Sequence, residues 1–453
     1  MQKRIQIFYV FLKLLIFTWL TLVSYNALRK HELYLYDTYC IMINLVPFAL
    51  CLILLIFSYF LKEKEHKINL EISFFSLIFS FFFLEILITF YEFRQYVFSQ
   101  DYPLELHQEL LGKPVDKRNK IEIIAQFKEK DINAFPLITP YMVLNKKNNF
   151  LPVNSLSNSV LVACKEAGEW VHTLSDKYGF RNLNEKYNQT IENIFLGDSY
   201  TWGSCVNDNK TVQALFDKST GSNSLNLGNV GNGPLLALAT LNEFGSLFTP
   251  KSIFYLFYDG NDFPSDLNQE KKNKVLLSYL DKSFRQDLIN NIDETNDYYR
   301  KIIEETPNIM KKLALTEHFK NFFSLKNFIN LSRSRHLLNS INPYPDPDFR
   351  MLTNVFESIK NTANSIDSKV YFVYLPSWYT VNKTNERFYH KIKSKIINLS
   401  NEYFETIDMT PIFFNSADYN DFYNYRKNSH YSEKGYELVA KTLAEKVNPK
   451  KID

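Results

Sequence analysis

From residue 191 onward the chain alternates short apolar runs with stretches of helical periodicity, and this alternation narrows its folding options most. The apolar runs fall at 194–196, 224–227, 253–258, 370–374 and 404–407. Helical stretches fall at 235–248, 351–366, 388–402 and 432–447. Runs so short and so continuously apolar suit strands buried on both faces. Strand–helix alternation then predicts an α/β fold, a three-layer α/β/α sandwich around a parallel sheet. Residues 268–345 interrupt the order with Lys-, Asn- and Asp-rich sequence and helical stretches at 273–288 and 298–315. They read as a helical insertion, either a lid or cleft wall, or a solvated decoration. Residues 93–190 show little periodicity and carry Pro103, Pro114, Pro136, Pro140 and Pro152. They read as a connector packing on the domain that follows.

The N-terminal region obeys different rules. Three apolar segments run over about 5–23, 39–61 and 72–91. Each is long enough to cross a ~30 Å hydrocarbon core at ~1.5 Å per residue. Lys13 interrupts the first and Glu85 the third, each costly in lipid unless paired, and they are candidate partners. The expectation is a three-span transmembrane region over residues 1–92. Lys3, Arg4, Lys62, Lys64 and Lys67 outweigh Arg29 and Lys30, which puts the N-terminus in the cytoplasm. Three spans then place everything beyond residue 93 outside it. Of the four cysteines, only Cys164 and Cys205 fall in that exported part. They are either a disulfide or two small buried hydrophobes. A bridge closing about 40 residues would stabilise by roughly 4 kcal/mol. A net charge of +3 and the absence of a basic face with interleaved aromatics argue against nucleic acid as a partner.

Four polar blocks punctuate the α/β region. The run 194–196 ends in Gly197-Asp198-Ser199, with Gly203 four residues on. Asn226-Leu-Gly-Asn-Val-Gly231-Asn-Gly233-Pro follows the second run, and Tyr258-Asp-Gly-Asn261-Asp262 ends the third. Ser429-His430-Tyr-Ser precedes the last helical stretch. A strand that stops on glycine and offers a small hydroxyl at its tip is how an α/β fold presents a nucleophile. Read singly, Ser199 is also a good helix N-cap, Gly231 a turn glycine, Asn261 a cap and His430 a surface histidine. No His, Cys, Asp or Glu cluster shows metal-ligand spacing, so neither metal nor cofactor is expected.

Together and in this order, the blocks resemble those of the SGNH/GDSL hydrolase superfamily over roughly residues 191–447, within an expected domain of 191–450, and more narrowly bacterial membrane-anchored members of unassigned substrate. The resemblance implies a flavodoxin-like domain and acyl-ester chemistry. Ser199 would be the nucleophile and His430 its base. The N–H of Ser199, the N–H of Gly231 and the amide of Asn261 would form the oxyanion hole, with Asp198 and Asp262 bracing the loops. The chain departs from the family two and three residues before the histidine, where an Asp is usual and Asn428 and Lys427 stand. Asn428 or Asp421 is then the candidate third member, or the site works as a dyad. Location and resemblance together imply an extracytoplasmic esterase removing O-acetyl or other acyl groups from surface or cell-wall carbohydrate. One alternative is an O-acyltransferase supplied by membrane acyl-transfer or polysaccharide-assembly partners. The other is a non-catalytic glycan-binding module.

Overall fold

The computed structural model describes residues 63–100, 111–144, 150–313, 324–329, 349–382 and 386–447, with a few single positions besides. The chain divides into two units, residues 1–103 with 307–347, and residues 104–306 with 348–453. In the first, the helix Lys64–Gln100 carries the apolar segment 72–91. Ile72, Phe79, Phe83, Leu87 and Phe90 on this helix are exposed. Glu85 is fully buried and accepts from both the N–H and the Oγ of Ser334, each at 2.7 Å. Ser334 is thus one of its partners; Lys13 lies outside the described residues. Segments 5–23 and 39–61 also lie outside them, single positions aside. Among the described residues no helix is long and apolar enough to cross a membrane.

The second unit begins with a small sheet of β1 (Ala134–Pro136), β2 (Val160–Val162) and β3 (His172–Leu174). β1 pairs parallel and β3 antiparallel with β2. The helix Lys120–Lys128 precedes it, opened by a reciprocal capping box between Asn119 and Glu122. This is regular structure inside the stretch read as an aperiodic connector. Its strands of three residues are too short to leave an alternation pattern.

The main sheet contains β4 (Asn193–Gly197), β5 (Ser224–Asn226), β6 (Ser252–Tyr258), β7 (Lys369–Leu375) and β8 (Glu405–Asp408). All pairs are parallel, in the order β5-β4-β6-β7-β8. Side chains alternate across it. Ile253, Tyr255, Phe257, Val370 and Phe372 share a core with the helices Pro234–Glu243, Phe349–Ser365 and Glu386–Tyr403. Phe254, Leu256, Tyr258, Tyr371 and Val373 share another with Val212–Thr220 and Glu433–Val447. Helices therefore cover both faces, and the backbone hydrogen bonds of the buried strands are met within the sheet. The abundant phenylalanine has a use here. Phe195 stacks on Phe254 at 4.8 Å and Phe254 on Tyr371 at 5.2 Å, a ladder across three registered strands.

Because β4 is flanked by β5 on one side and β6 on the other, the crossovers progress in opposite directions across the sheet on either side of it. A crevice opens at the carboxyl ends of the strands at such a switch point. The Gly-Asp-Ser, Gly231 and Asn261 blocks follow β4, β5 and β6 and gather there.

Candidate active site

β4 ends at Gly197 with φ of 141°. A Cβ there would lie 2.4 Å from the carbonyl oxygen of Leu256 and 2.4 Å from Thr201 Oγ1, so the turn out of the strand admits only glycine. Asp198 caps the one-turn helix Ser199–Trp202 by accepting from the N–H of Tyr200 at 2.8 Å. Ser199, the first helical residue, thereby points its hydroxyl into the crevice.

His430 Nε2 lies 3.1 Å from Ser199 Oγ. On the far side of the ring, Nδ1 lies 2.9 Å from Glu166 Oε1, and the backbone N–H of His430 donates to Glu166 Oε2 at 3.0 Å. With the ring proton on Nδ1 facing the carboxylate, Nε2 accepts from the serine hydroxyl; this tautomer follows from the network. The ring packs on Tyr200, which stacks in turn on Tyr258 at 3.8 Å.

The carboxylate behind His430 is therefore Glu166, and neither residue expected from the histidine's own neighbourhood takes that place. Asp421 pairs with Arg426 and, at 2.8 Å, with Lys434. Asn428 is exposed. The loop before His430 spends its charges on its own ion pairs, and the acid arrives from 264 residues upstream. One signal could have located it. Cys164 and Cys205 are disulfide-bonded with Cα atoms 5.2 Å apart, which brings residue 166 beside the chain six residues past Ser199.

The electrostatics fit an acid–base pair. Burial alone would push the pKa of His430 down, but the hydrogen bond and charge of Glu166, aided by Asp198, hold it above its ordinary value. Burial raises that of Glu166, yet bonds from His430 and Asn424 outweigh it and keep the carboxyl below its usual range. Burial pushes Asp198 up to about 6, opposed by the Tyr200 amide and the charge of His430. Cys164, Glu166, Cys205 and His430 place potential ligand atoms within 4.8 Å of one another, a cluster that sequence spacing hides. The sulfurs are bonded to each other, so this is no four-ligand metal site as it stands.

The remaining blocks shape the oxyanion side. Gly231 has φ of 82°, and a Cβ on it would lie 2.8 Å from Tyr141 Cβ. Tyr141 thus lies against the glycine loop and forms part of the site's wall. The N–H groups of Ser199 and Gly231 meet no acceptor among the described residues and are available to an anion. Asn261 is placed otherwise than expected. Its amide donates to Asp266 Oδ2 at 2.7 Å, and the same side chain bonds the Asp198 carboxylate. Two nearby carboxylates compete for these N–H groups, so Asn261 braces the loop in this arrangement. Asp262 is buried, accepts from the N–H of Tyr258 at 3.0 Å, and has its pKa pushed well up by burial and by Asp198.

Arg181, also unforeseen, clamps the segment that follows Ser199. Its guanidinium donates to the carbonyls of Trp202 at 3.2 Å, Gly203 at 2.7 Å and Val206 at 2.8 Å, and pairs with Asp208 at 2.7 Å. It also lies over the Trp202 ring at 4.4 Å. Glu166, Arg181 and Tyr141 all come from the presumed connector.

No family model matches the chain, and no curated protein matches it in sequence. Among solved structures, it is similar to a protein assigned to the G-D-S-L lipolytic family from Desulfitobacterium hafniense DCB-2, at 12% identity. The match covers 57% of this chain and 99% of that one with a TM-score of 0.29, too low to carry an argument about function.

Proposed function

We propose that the chain is a serine ester hydrolase of SGNH/GDSL type, acting outside the cytoplasm on O-acylated carbohydrate. One observation carries the chemistry, the unbroken line Ser199 Oγ to His430 Nε2 and His430 Nδ1 to Glu166. Ser199 Oγ attacks the acyl carbonyl as His430 Nε2 takes its proton, and Glu166 stabilises the imidazolium. The N–H groups of Ser199 and Gly231 meet the oxyanion. His430 then returns the proton to the leaving sugar hydroxyl, and water, activated by the same ring, releases the acid from the acyl-serine. A missing Asp before the histidine would favour a non-catalytic module, and Glu166 behind His430 supports catalysis instead.

Extracytoplasmic placement, with anchoring through residues 1–92, is supported by the apolar segments, the flanking basic residues and the Cys164–Cys205 bond. Carbohydrate as the acyl carrier rests on that location and the family resemblance. Labelling the full-length protein with a fluorophosphonate tests the nucleophile. Wild type should label and hydrolyse a short-chain aryl ester, whereas Ser199→Ala should do neither. Equal signal from both proteins would end this reading. Acyl groups recovered on a sugar acceptor instead of as free acid would turn it toward the transferase.

A further inference from the structure

We propose that the Cys164–Cys205 disulfide is a positioning device for the triad, holding Glu166 behind His430, so that its reduction switches the site off without unfolding the domain. The inference rests on the esterase reading. Glu166 belongs to a loop, not to a strand or helix. Within its own segment the loop is tied by Val171 N–H to the Cys164 carbonyl at 2.8 Å and Asp116 N–H to the Gly168 carbonyl at 2.7 Å. Toward the sheet it is held by Glu166 itself, through His430 and Asn424, and by the disulfide. Cys164 is two residues before Glu166 and Cys205 six after Ser199, so this covalent tie spans the gap that the carboxylate and the imidazole must bridge.

Reduction would do more than loosen the loop. Cys205 Sγ lies 3.7 Å from His430 Nδ1, the nitrogen that faces Glu166. A freed Cys205 thiol can contend with the carboxylate for that nitrogen, while Glu166 gains the freedom to leave. A dithiol is the reductant class required. Its thiolate attacks Cys164, the more accessible sulfur, to form a mixed disulfide, and Cys205 departs as the thiolate and takes up a proton. The second thiol of the reagent then displaces Cys164, leaving two protein thiols and one oxidised reagent. A cavity of about 410 Å³, lined by Cys205, Ala167, Leu111 and Tyr423 among others, lies on the Cys205 side of the bond.

The test compares the oxidised full-length protein with the same protein after dithiol treatment. It measures aryl-ester kcat/KM against pH, the melting curve, and the titration of the His430 ring by NMR. Reduction should lower kcat/KM by about 10²-fold, the scale of a misplaced catalytic contact. It should move the acid limb of the profile to lower pH, because His430 loses the carboxylate that raises its pKa, and the melting transition should persist. Reoxidation should restore both. Glu166→Gln should cost far less in a Cys164→Ser/Cys205→Ser background than in the wild type, since both changes break the same link. An unshifted acid limb after reduction, or a full Glu166→Gln penalty in the double variant, overturns the proposal. If the oxidised protein hydrolyses no ester, the esterase reading fails instead. The NMR titration then still decides this one, and an unchanged His430 midpoint on reduction defeats it.

Discussion

Glu166 fixes both the ring and the backbone of His430 with one carboxylate, which sets a sharp expectation among three acidic and amide candidates. Glu166→Gln should lower kcat by about 10⁴-fold, the loss seen when a serine-protease triad exchanges its acid for the amide. Asp421→Ala and Asn428→Ala should stay within about threefold, as neither touches the ring. A large loss in either, with Glu166→Gln unaffected, would reverse the assignment. In the wild type, activity requires neutral His430, so kcat/KM should fall as pH drops through a midpoint above the ordinary value of ~6.5. A midpoint below that value would contradict the Glu166 contact. Ser199 and His430 were legible because a strand-tip serine and a pre-helix histidine carry local signals. Glu166 was not, because a carboxylate recruited through tertiary contact has no local pattern. Asn261 was legible as a position, while the neighbouring carboxylates of Asp198 and Asp266, which decide where its amide turns in this arrangement, were not.

Among elements, the helix Pro234–Glu243 is sewn to the chain after β6 from both ends. At its start the buried carboxylate of Glu270 accepts from the N–H groups of Gly233, Leu235 and Leu236. At its end Glu243 accepts from Tyr279 Oη at 2.7 Å and from the N–H groups of Gln286 and Leu288. Leu276, Tyr279 and Leu288 are fully buried, so the stretch 267–288 packs onto the core through these side chains. The helix expected over 273–288 is observed only as Lys274–Ser278, because the rest unwinds to meet Glu243. Glu243→Ala strands two buried donors and one part-buried donor and should cost about 3 kcal/mol by urea unfolding, where a cost under about 1 would refute the stitch. Arg181→Lys should lower both stability and fluorophosphonate labelling. A single ammonium cannot reach the three carbonyls and the Asp208 carboxylate that the planar fork satisfies. Labelling equal to wild type would show that the clamp does not shape the nucleophile turn. The five long-range strands were readable from their apolar runs, while β1–β3 and the capping-box helix, each short, were hidden in a proline-rich stretch.

At the scale of the whole chain, the α/β order and the strand-end position of the first three blocks followed from the alternation of runs, because parallel strands buried on both faces advertise themselves. The presumed connector is the larger revision. It supplies the carboxylate, the arginine clamp and the tyrosine against the glycine loop, so the working site spans residues 141–430. Ending the chain after residue 425 removes His430 and the helix Glu433–Val447, which packs on the helix Val212–Thr220. Such a protein should retain Ser199 yet take up no fluorophosphonate, and measurable labelling would show that the serine needs no base.

The disulfide joins residues 41 apart, yet the histidine it serves comes near the end of the chain. During synthesis, Ser199 emerges long before His430, its proposed base. A partly made chain that lacks His430 should therefore be silent toward esters, and reactivity would report that the line from Ser199 through His430 to Glu166 has closed.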